Sequence, residues 1–217
     1  MMLQKLLELI FPRKCVLCQE LLKKDEENIC PLCIRNLESF SSSRYKLKYI
    51  TKWTALWHYE NHVRQSIIRY KFSNRPSYGS VYGTYLTEKI LQEGITFDMI
   101  TSVPLSKKRM WKRGYDHTRI IAEQIAVLTA VPYAATLVKS RHTKPQSLLR
   151  TAAERRANIL GSYTALSRET IQGKNILLID DVVTTGATVS ECARVLLTMG
   201  AKTVSCAAVA SAFKKTK

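Results

Sequence analysis

The run Asn175-Ile176-Leu177-Leu178-Ile179, ending in Asp180-Asp181, constrains the fold of this chain more than any other stretch. A continuous apolar run of this kind reads as a buried central strand, which needs cover on both faces. The surrounding sequence supplies the cover. Helical patterns at 62–72, 82–92, 118–128 and 189–199 alternate with strand patterns at 97–103, 133–138, 175–180 and 204–210. Such alternation predicts an α/β fold, a mainly parallel sheet flanked by helices, with ligands outside the carboxyl ends of its strands.

After the strand come Val182-Val183 and then Thr184-Thr185-Gly186-Ala187-Thr188, which open a helix. Small side chains let backbone N–H groups approach an anion, and Gly186 tolerates a positive φ. The following helix aims its N-terminus at the same spot. Thr184, Thr185, Gly186, Ala187 and Thr188 are therefore a candidate phosphate cradle, although the chain has neither a P-loop nor a Gly-x-Gly-x-x-Gly fingerprint. Phosphate would repel Asp180 and Asp181. They must face something neutral or cationic beside it, and ribose hydroxyls or Mg²⁺ both fit. A sugar 5-phosphate satisfies both halves. The plainer alternative is a capped turn with surface acids, for which one Asp would suffice.

The 34 Lys+Arg against 17 Asp+Glu leave a net charge of +17. That excess implies an anionic partner, nucleic acid first, with a membrane surface or phosphorylated metabolites as rivals. Two stretches concentrate it. Lys107, Lys108, Arg109, Lys112, Arg113 and Arg119 face one acid, Asp116; Lys139, Arg141, Lys144, Arg150, Arg155 and Arg156 face one, Glu154. Read as loops on the rim of the phosphate turn, they either neutralise a departing pyrophosphate or track a nucleic-acid backbone. Solvated helix faces are the plain alternative. His117 and His142 read as loop histidines open to a catalytic role.

Cys15-Val16-Leu17-Cys18 and Cys30-Pro31-Leu32-Cys33 are paired Cys-x-x-Cys knuckles, separated by eleven residues. Together they offer the closed four-sulfur cage that structural zinc prefers. So short a segment depends on the metal for its folding energy. Cys192 and Cys206 read as packing residues. The chain accordingly divides into a zinc-binding module at 1–40, a linker and strand segment at 41–60, and a main domain at 61–217. Within 41–60, Tyr45, Lys46, Lys48, Tyr49, Lys52, Trp53, Trp57 and Tyr59 interleave aromatic with basic residues. That suits stacking on unpaired bases; a strand pair with aromatics on its buried face explains it better. Leu3, Leu6, Leu7 and Ile10 have helical spacing, but Gln4, Lys5 and Glu8 interrupt any signal-peptide core. No apolar run approaches the ~18 residues of a membrane span. A cytoplasmic protein is expected, its cysteines unpaired in disulfides.

Ile176 to Thr188 matches the phosphoribosyl pyrophosphate (PRPP) motif of type I phosphoribosyltransferases along its whole length. The whole arrangement resembles the ComF competence family, a four-cysteine zinc-ribbon-like module followed by a phosphoribosyltransferase-like domain. Ser102 to Arg109 follows a strand, where those enzymes place the pyrophosphate loop. Lys112-Arg113-Gly114-Tyr115-Asp116-His117 resembles an Arg-Gly-aromatic-Asn-Gln stretch, with Asp116-His117 in place of Asn-Gln. Thr143 to Leu149 and Arg155 to Asn158 resemble the long loop that forms a hood over substrate. The resemblance implies a competence protein for DNA uptake and natural transformation. It would bind PRPP or a ribose 5-phosphate with Mg²⁺, and single-stranded DNA, beside a helicase-like ATPase of the competence machinery. The alternative is an active phosphoribosyltransferase, with Asp180 and Asp181 as its catalytic pair, acting on an unknown acceptor with release of pyrophosphate.

Overall fold

The computed structural model describes residues 12–141 and 151–214. The helical pattern before Pro12, His142, and the stretch Thr143 to Leu149 with Lys144 and Arg150 lie outside the described residues. In chain order the elements are α1 (Pro31–Asn36), β1 (Trp53–His58), α2 (Asn61–Phe72), α3 (Tyr78–Gln92), β2 (Met99–Ser102), α4 (Lys107–Arg113), α5 (His117–Thr129), β3 (Leu137–Lys139), α6 (Ala152–Ile159), β4 (Tyr163–Ala165), α7 (Arg168–Ile171), β5 (Asn175–Val183), α8 (Ala187–Thr198) and β6 (Thr203–Ser211).

Four strands form the main sheet in the order β1-β6-β5-β2, every pair parallel. β5, the apolar run of the sequence, lies inside it with both neighbours in place. Alternate side chains of β5 and β6 enter two different cores. Leu177, Ile179, Ala207 and Val209 pack with α2, α3 and α5 residues such as Ile67, Tyr70, Leu86 and Ile121. Ile176, Leu178, Val204, Cys206 and Ala208 pack with Val189, Cys192 and Leu196 of α8. Cys192 and Cys206 are thus fully buried packing residues. The first face closes tightly because α3 carries Gly79 and Gly83 where it crosses α5: a Cβ on Gly83 would come within 2.6 Å of the Gln124 side chain.

Three local expectations change. The strand pattern at 133–138 yields only β3, which pairs antiparallel with β4 in a separate two-stranded sheet; Tyr133 makes an isolated bridge to Ile100. The basic stretch 107–119 is not a loop. Ser106 caps α4 by accepting from the Arg109 N–H, Gly114 ends it at φ 81°, and Asp116 starts α5 by accepting from the Thr118 and Arg119 N–H groups. The aromatic stretch turns inward. Trp53 and Trp57 lie in β1, each 7% exposed, and β1 pairs with β6 rather than with a hairpin partner.

Both margins of the sheet are covered by irregular chain. Ser39 bridges Trp57, and the Phe40 N–H donates to Leu56 O at 3.0 Å. At the other margin, Ile100 N–H donates to Pro132 O and accepts at its carbonyl from Ala134 N–H. Among the described residues, no helix is long and apolar enough to cross a membrane.

Candidate functional site

β5 does not stop at the acidic pair. It runs on to Val183, which pairs with Ser211, and only then turns through Thr184, Thr185 and Gly186 into α8. Gly186 is the N-cap, at φ 74° and with no side-chain cap of its own, and the Ala187 N–H meets Thr185 Oγ1 at 3.4 Å. Thr184, Thr185 and Thr188 are half-buried around it, and Gly186 and Ala187 are buried. A Cβ on Gly186 would overlap Cδ2 of Leu47, which closes over the turn. Only glycine meets both the positive φ and this close approach.

Because β5 alternates, Asp180 and Asp181 point to opposite faces of the sheet. Both are buried, 8% and 5% exposed, against the plainer alternative of surface acids. Asp181 ion-pairs with Lys71 at the end of α2 and accepts from His117 Nε2 at 2.5 Å. His117 Nδ1 in turn lies 2.7 Å from an Arg113 guanidinium nitrogen, consistent with a neutral ring that donates to Asp181 and accepts from Arg113. Burial pushes Asp181 up, but Lys71 and His117 outweigh it and hold the carboxyl far below its usual range. Burial keeps His117 below the ordinary histidine value despite Asp181. His117 is therefore the buried first residue of α5, not a loop histidine.

On the other face, burial and the neighbouring Asp181 push Asp180 well above the usual carboxylate range. Among the described residues, its one hydrogen bond is the one it accepts from the Asp181 N–H at 2.8 Å. Below it sit Lys139 of β3 and Tyr163 of β4, the ammonium 5.2 Å from the ring centroid. Burial, and then Arg109, lower Lys139 to about 8. The helix α4 thus serves both faces: the charge of Arg109 is felt by Lys139 and Tyr163, while Arg113 reaches His117 and lies 5.2 Å over the Phe72 ring. Lys107 and Lys108 are exposed. Arg155 and Arg156 fall in α6, and their side chains are outside the described residues. Sequence reasoning missed Lys71 and Tyr163. Lys71 carried no motif, and Tyr163 comes from a strand too short to show a pattern.

Cys15, Cys18, Cys30 and Cys33 converge, their four sulfurs all within 4.8 Å of one another. Cys18 Sγ and Cys30 Sγ lie 3.7 Å apart. Four Zn–S bonds of ~2.3 Å in a tetrahedron need a sulfur–sulfur spacing of about 3.8 Å, so the cluster fits a structural zinc. The first knuckle is tied to the main domain. Ser66 Oγ donates to Val16 O at 2.5 Å, Arg69 to Val16 O and Leu17 O, and Gln19 to the Tyr78 hydroxyl at 2.7 Å. Two cavities border this region, about 670 Å³ beside Arg13, Gln19, Arg75 and Tyr78, and about 310 Å³ beside Cys33, Trp57 and His62. No residue of 180–188 lines either.

The phosphoribosyl transferase domain family matches residues 112–217. The DNA utilization protein YhgH of Escherichia coli is 32% identical over 140 residues, 62% of this chain and 60% of that protein. Competence protein F of Haemophilus influenzae is 26% identical over 218 residues, 89% of this chain and 95% of that one. Competence protein ComFC of Bacillus subtilis is 24% identical over 203 residues, 86% of this chain and 78% of that one. Among solved structures, the glutamine PRPP amidotransferase of B. subtilis aligns over 65% of this chain and 30% of its own at 23% identity and a TM-score of 0.45. A purine phosphoribosyltransferase of Pyrococcus horikoshii aligns over 61% and 73% at 16% identity and a TM-score of 0.38. A parallel sheet flanked by helices, a four-cysteine cluster and these relatives make the chain a homologue of Competence protein F and ComFC with a phosphoribosyl transferase domain over its C-terminal half.

Proposed function

We propose that this chain is a competence-associated protein of the cytoplasm that binds PRPP or a related ribose 5-phosphate with Mg²⁺, and handles single-stranded DNA during uptake and transformation. The observation that carries the sugar-phosphate half is the turn at Gly186: the N-cap of α8, with no side-chain cap of its own, at positive φ, directly after a strand bearing two carboxylates. Thr184, Thr185, Gly186, Ala187 and Thr188 take the 5-phosphate. Asp180 and Asp181 serve the ribose and Mg²⁺ from either face of the strand end. Asp180 is suited to a hard cation, since among the described residues it has no ion pair and burial disfavours its charge. The relatives' names support the DNA half, together with the net charge of +17. Lys107, Lys108, Arg109 and Arg113, with Arg155 and Arg156, are the proposed contacts for pyrophosphate or DNA backbone. In this reading residues 1–40 form the zinc module, 41–60 join it to the sheet, and the partner is a helicase-like ATPase of the competence machinery.

The second reading is a phosphoribosyltransferase acting on an unknown acceptor. It is favoured by Arg113, joined to Asp181 through His117, and by Arg109, whose charge is felt at Lys139, since departing pyrophosphate would need cations. Calorimetric titration of PRPP and ribose 5-phosphate, with and without Mg²⁺, tests the shared core of both. Asp180→Asn should weaken binding by ~1.5–3 kcal/mol, the worth of a charge-assisted hydrogen bond. It should also raise the melting temperature at neutral pH. A raised carboxyl pKa makes the fold lose stability as pH rises above the unfolded value of about 4, and the amide removes that loss. Gly186→Val should weaken binding further through the clash with Leu47 and the strained φ. Unaltered affinity in both variants would place the ligand elsewhere.

A further inference from the structure

The strongest unabsorbed feature is a tryptophan that the fold leaves outside. Trp111, in the middle of α4, is 91% exposed, whereas Trp53 and Trp57 are each 7% exposed. Its surroundings are cationic. Lys107 and Lys108 lie one turn before it on the same helix face, and Lys112 follows it. All three lysines are exposed, and among the described residues none has an ion pair or a side-chain hydrogen bond. The nearest acid in sequence, Asp116, is committed to capping α5. The helix is tied at its ends: Ser106 caps it, Gly114 closes it, and Arg113 meets His117 and lies over Phe72.

We infer that Trp111 is a base-stacking platform for single-stranded DNA, with Lys107, Lys108 and Lys112 holding the phosphates on either side of the stacked base. This rests on the single-stranded DNA reading above and gives it a contact residue. An exposed ring ringed by unpaired cations matches a strand whose bases are free to stack and whose backbone is anionic. A protein partner would need an apolar patch, and besides Trp111 α4 offers only Met110, 36% exposed. A membrane surface would need a continuous apolar helix face, which two such residues in seven do not make. The same helix carries Arg109, whose charge is felt at Lys139, and Arg113, which reaches His117 beside Asp181.

The test uses the full chain and an oligothymidylate, with an abasic strand of the same length as control. Because Trp53 and Trp57 are buried, quenching of the exposed, red-shifted part of the emission reports Trp111. The oligothymidylate should quench it and the abasic strand should not. Trp111→Ala should weaken oligothymidylate binding roughly 5- to 150-fold, the worth of one stacked base, and leave abasic-strand binding unchanged. Trp111→Phe should recover most of the loss. The slope of log affinity against log salt should stay the same in Trp111→Ala and fall by about 0.7 per lost contact in Lys107→Ala and Lys108→Ala. Wild-type affinity in Trp111→Ala, with salt-dependent DNA binding intact, overturns the assignment of Trp111 while sparing the DNA reading. Failure of the wild-type chain to bind any strand overturns both. Tighter binding of an oligouridylate, or stronger quenching by anionic phospholipid vesicles than by DNA, replaces the occupant and overturns it as well.

Discussion

Tyr45 to His58 and Lys107 to Arg113 both mix aromatic with basic residues, and the fold treats them in opposite ways. In the first, the rings of Tyr45, Trp53 and Trp57 go in, and Tyr49 alone stays out, 51% exposed. Tyr45 stacks on Phe213 at 4.6 Å, Trp53 Nε1 donates to Tyr45 O at 2.7 Å, and Trp57 meets Tyr82 edge-on at 6.3 Å, while Lys46, Lys48 and Lys52 stay in water. In the second, the ring stays out with the cations. The cause is pairing: β1 gains β6 as a parallel neighbour, so its side chains are covered on both faces. α4 buries no residue at all. Composition alone could not separate a packed aromatic strand from a displayed aromatic helix.

Metal removal should test this contrast with the largest effect. Structural zinc contributes roughly 10–16 kcal/mol in small peptides. Here Cys15, Val16, Leu17 and Ile29 share one core with Trp57, Tyr70 and Tyr82. A strong chelator, or Cys15→Ser, should therefore lower the melting temperature of the whole chain and shift the buried tryptophan emission to the red. Elemental analysis should find about one zinc per chain beforehand. If the metal-free chain keeps its melting temperature and its buried emission, the inward stretch is held by the sheet alone.

Next comes Trp57→Ala, which removes a buried ring and should cost about 3–5 kcal/mol in denaturant unfolding. Charge divides in the same way as the rings. Lys71→Ala leaves the buried Asp181 with His117 alone and should cost roughly 3 kcal/mol at neutral pH. Asp181 is held below the usual range, so its contribution is present above the unfolded value of about 4 and is lost as the pH falls. The gap between wild type and Lys71→Ala should therefore narrow in acid. A constant gap down to about pH 3 would show that Lys71 acts through packing. At the small end, Trp111→Ala should change stability by no more than ~0.5 kcal/mol. A loss approaching that of Trp57→Ala would erase the contrast.

The sequence displays what is local and periodic. The apolar run of β5, the glycine turn after it and the cysteine spacing each announce themselves within a few residues. Helix starts such as Ser106 and Asp116 were written in residues known to cap, yet the density of charge around them read as loop. What stayed hidden depends on distance along the chain. Lys71 meets Asp181 across more than a hundred residues, and Leu47 reaches Gly186 across still more. Nothing in either local pattern names its partner. The burial of both aspartates was concealed for a related reason: two adjacent acids look like surface until β6 is seen pairing beside them. Trp111 gives no signal of its own, being a single ring inside a stretch whose charge reads as loop.

The covered margins of the sheet bear on how this chain behaves in quantity. An open β-edge is a template for another copy of itself, and long flat edges are where native proteins begin to aggregate. Here the Ser39–Phe40 segment occupies the outer side of β1, and the Pro132–Ala134 segment occupies that of β2, each with one or two backbone hydrogen bonds. Among the described residues, part of each edge ladder of the four-stranded sheet is therefore already occupied, and a net charge of +17 adds mutual repulsion. Those few hydrogen bonds are also the weak point of the protection. Once either segment is peeled away, salt that screens the charge removes the second barrier to strand-to-strand self-association as well.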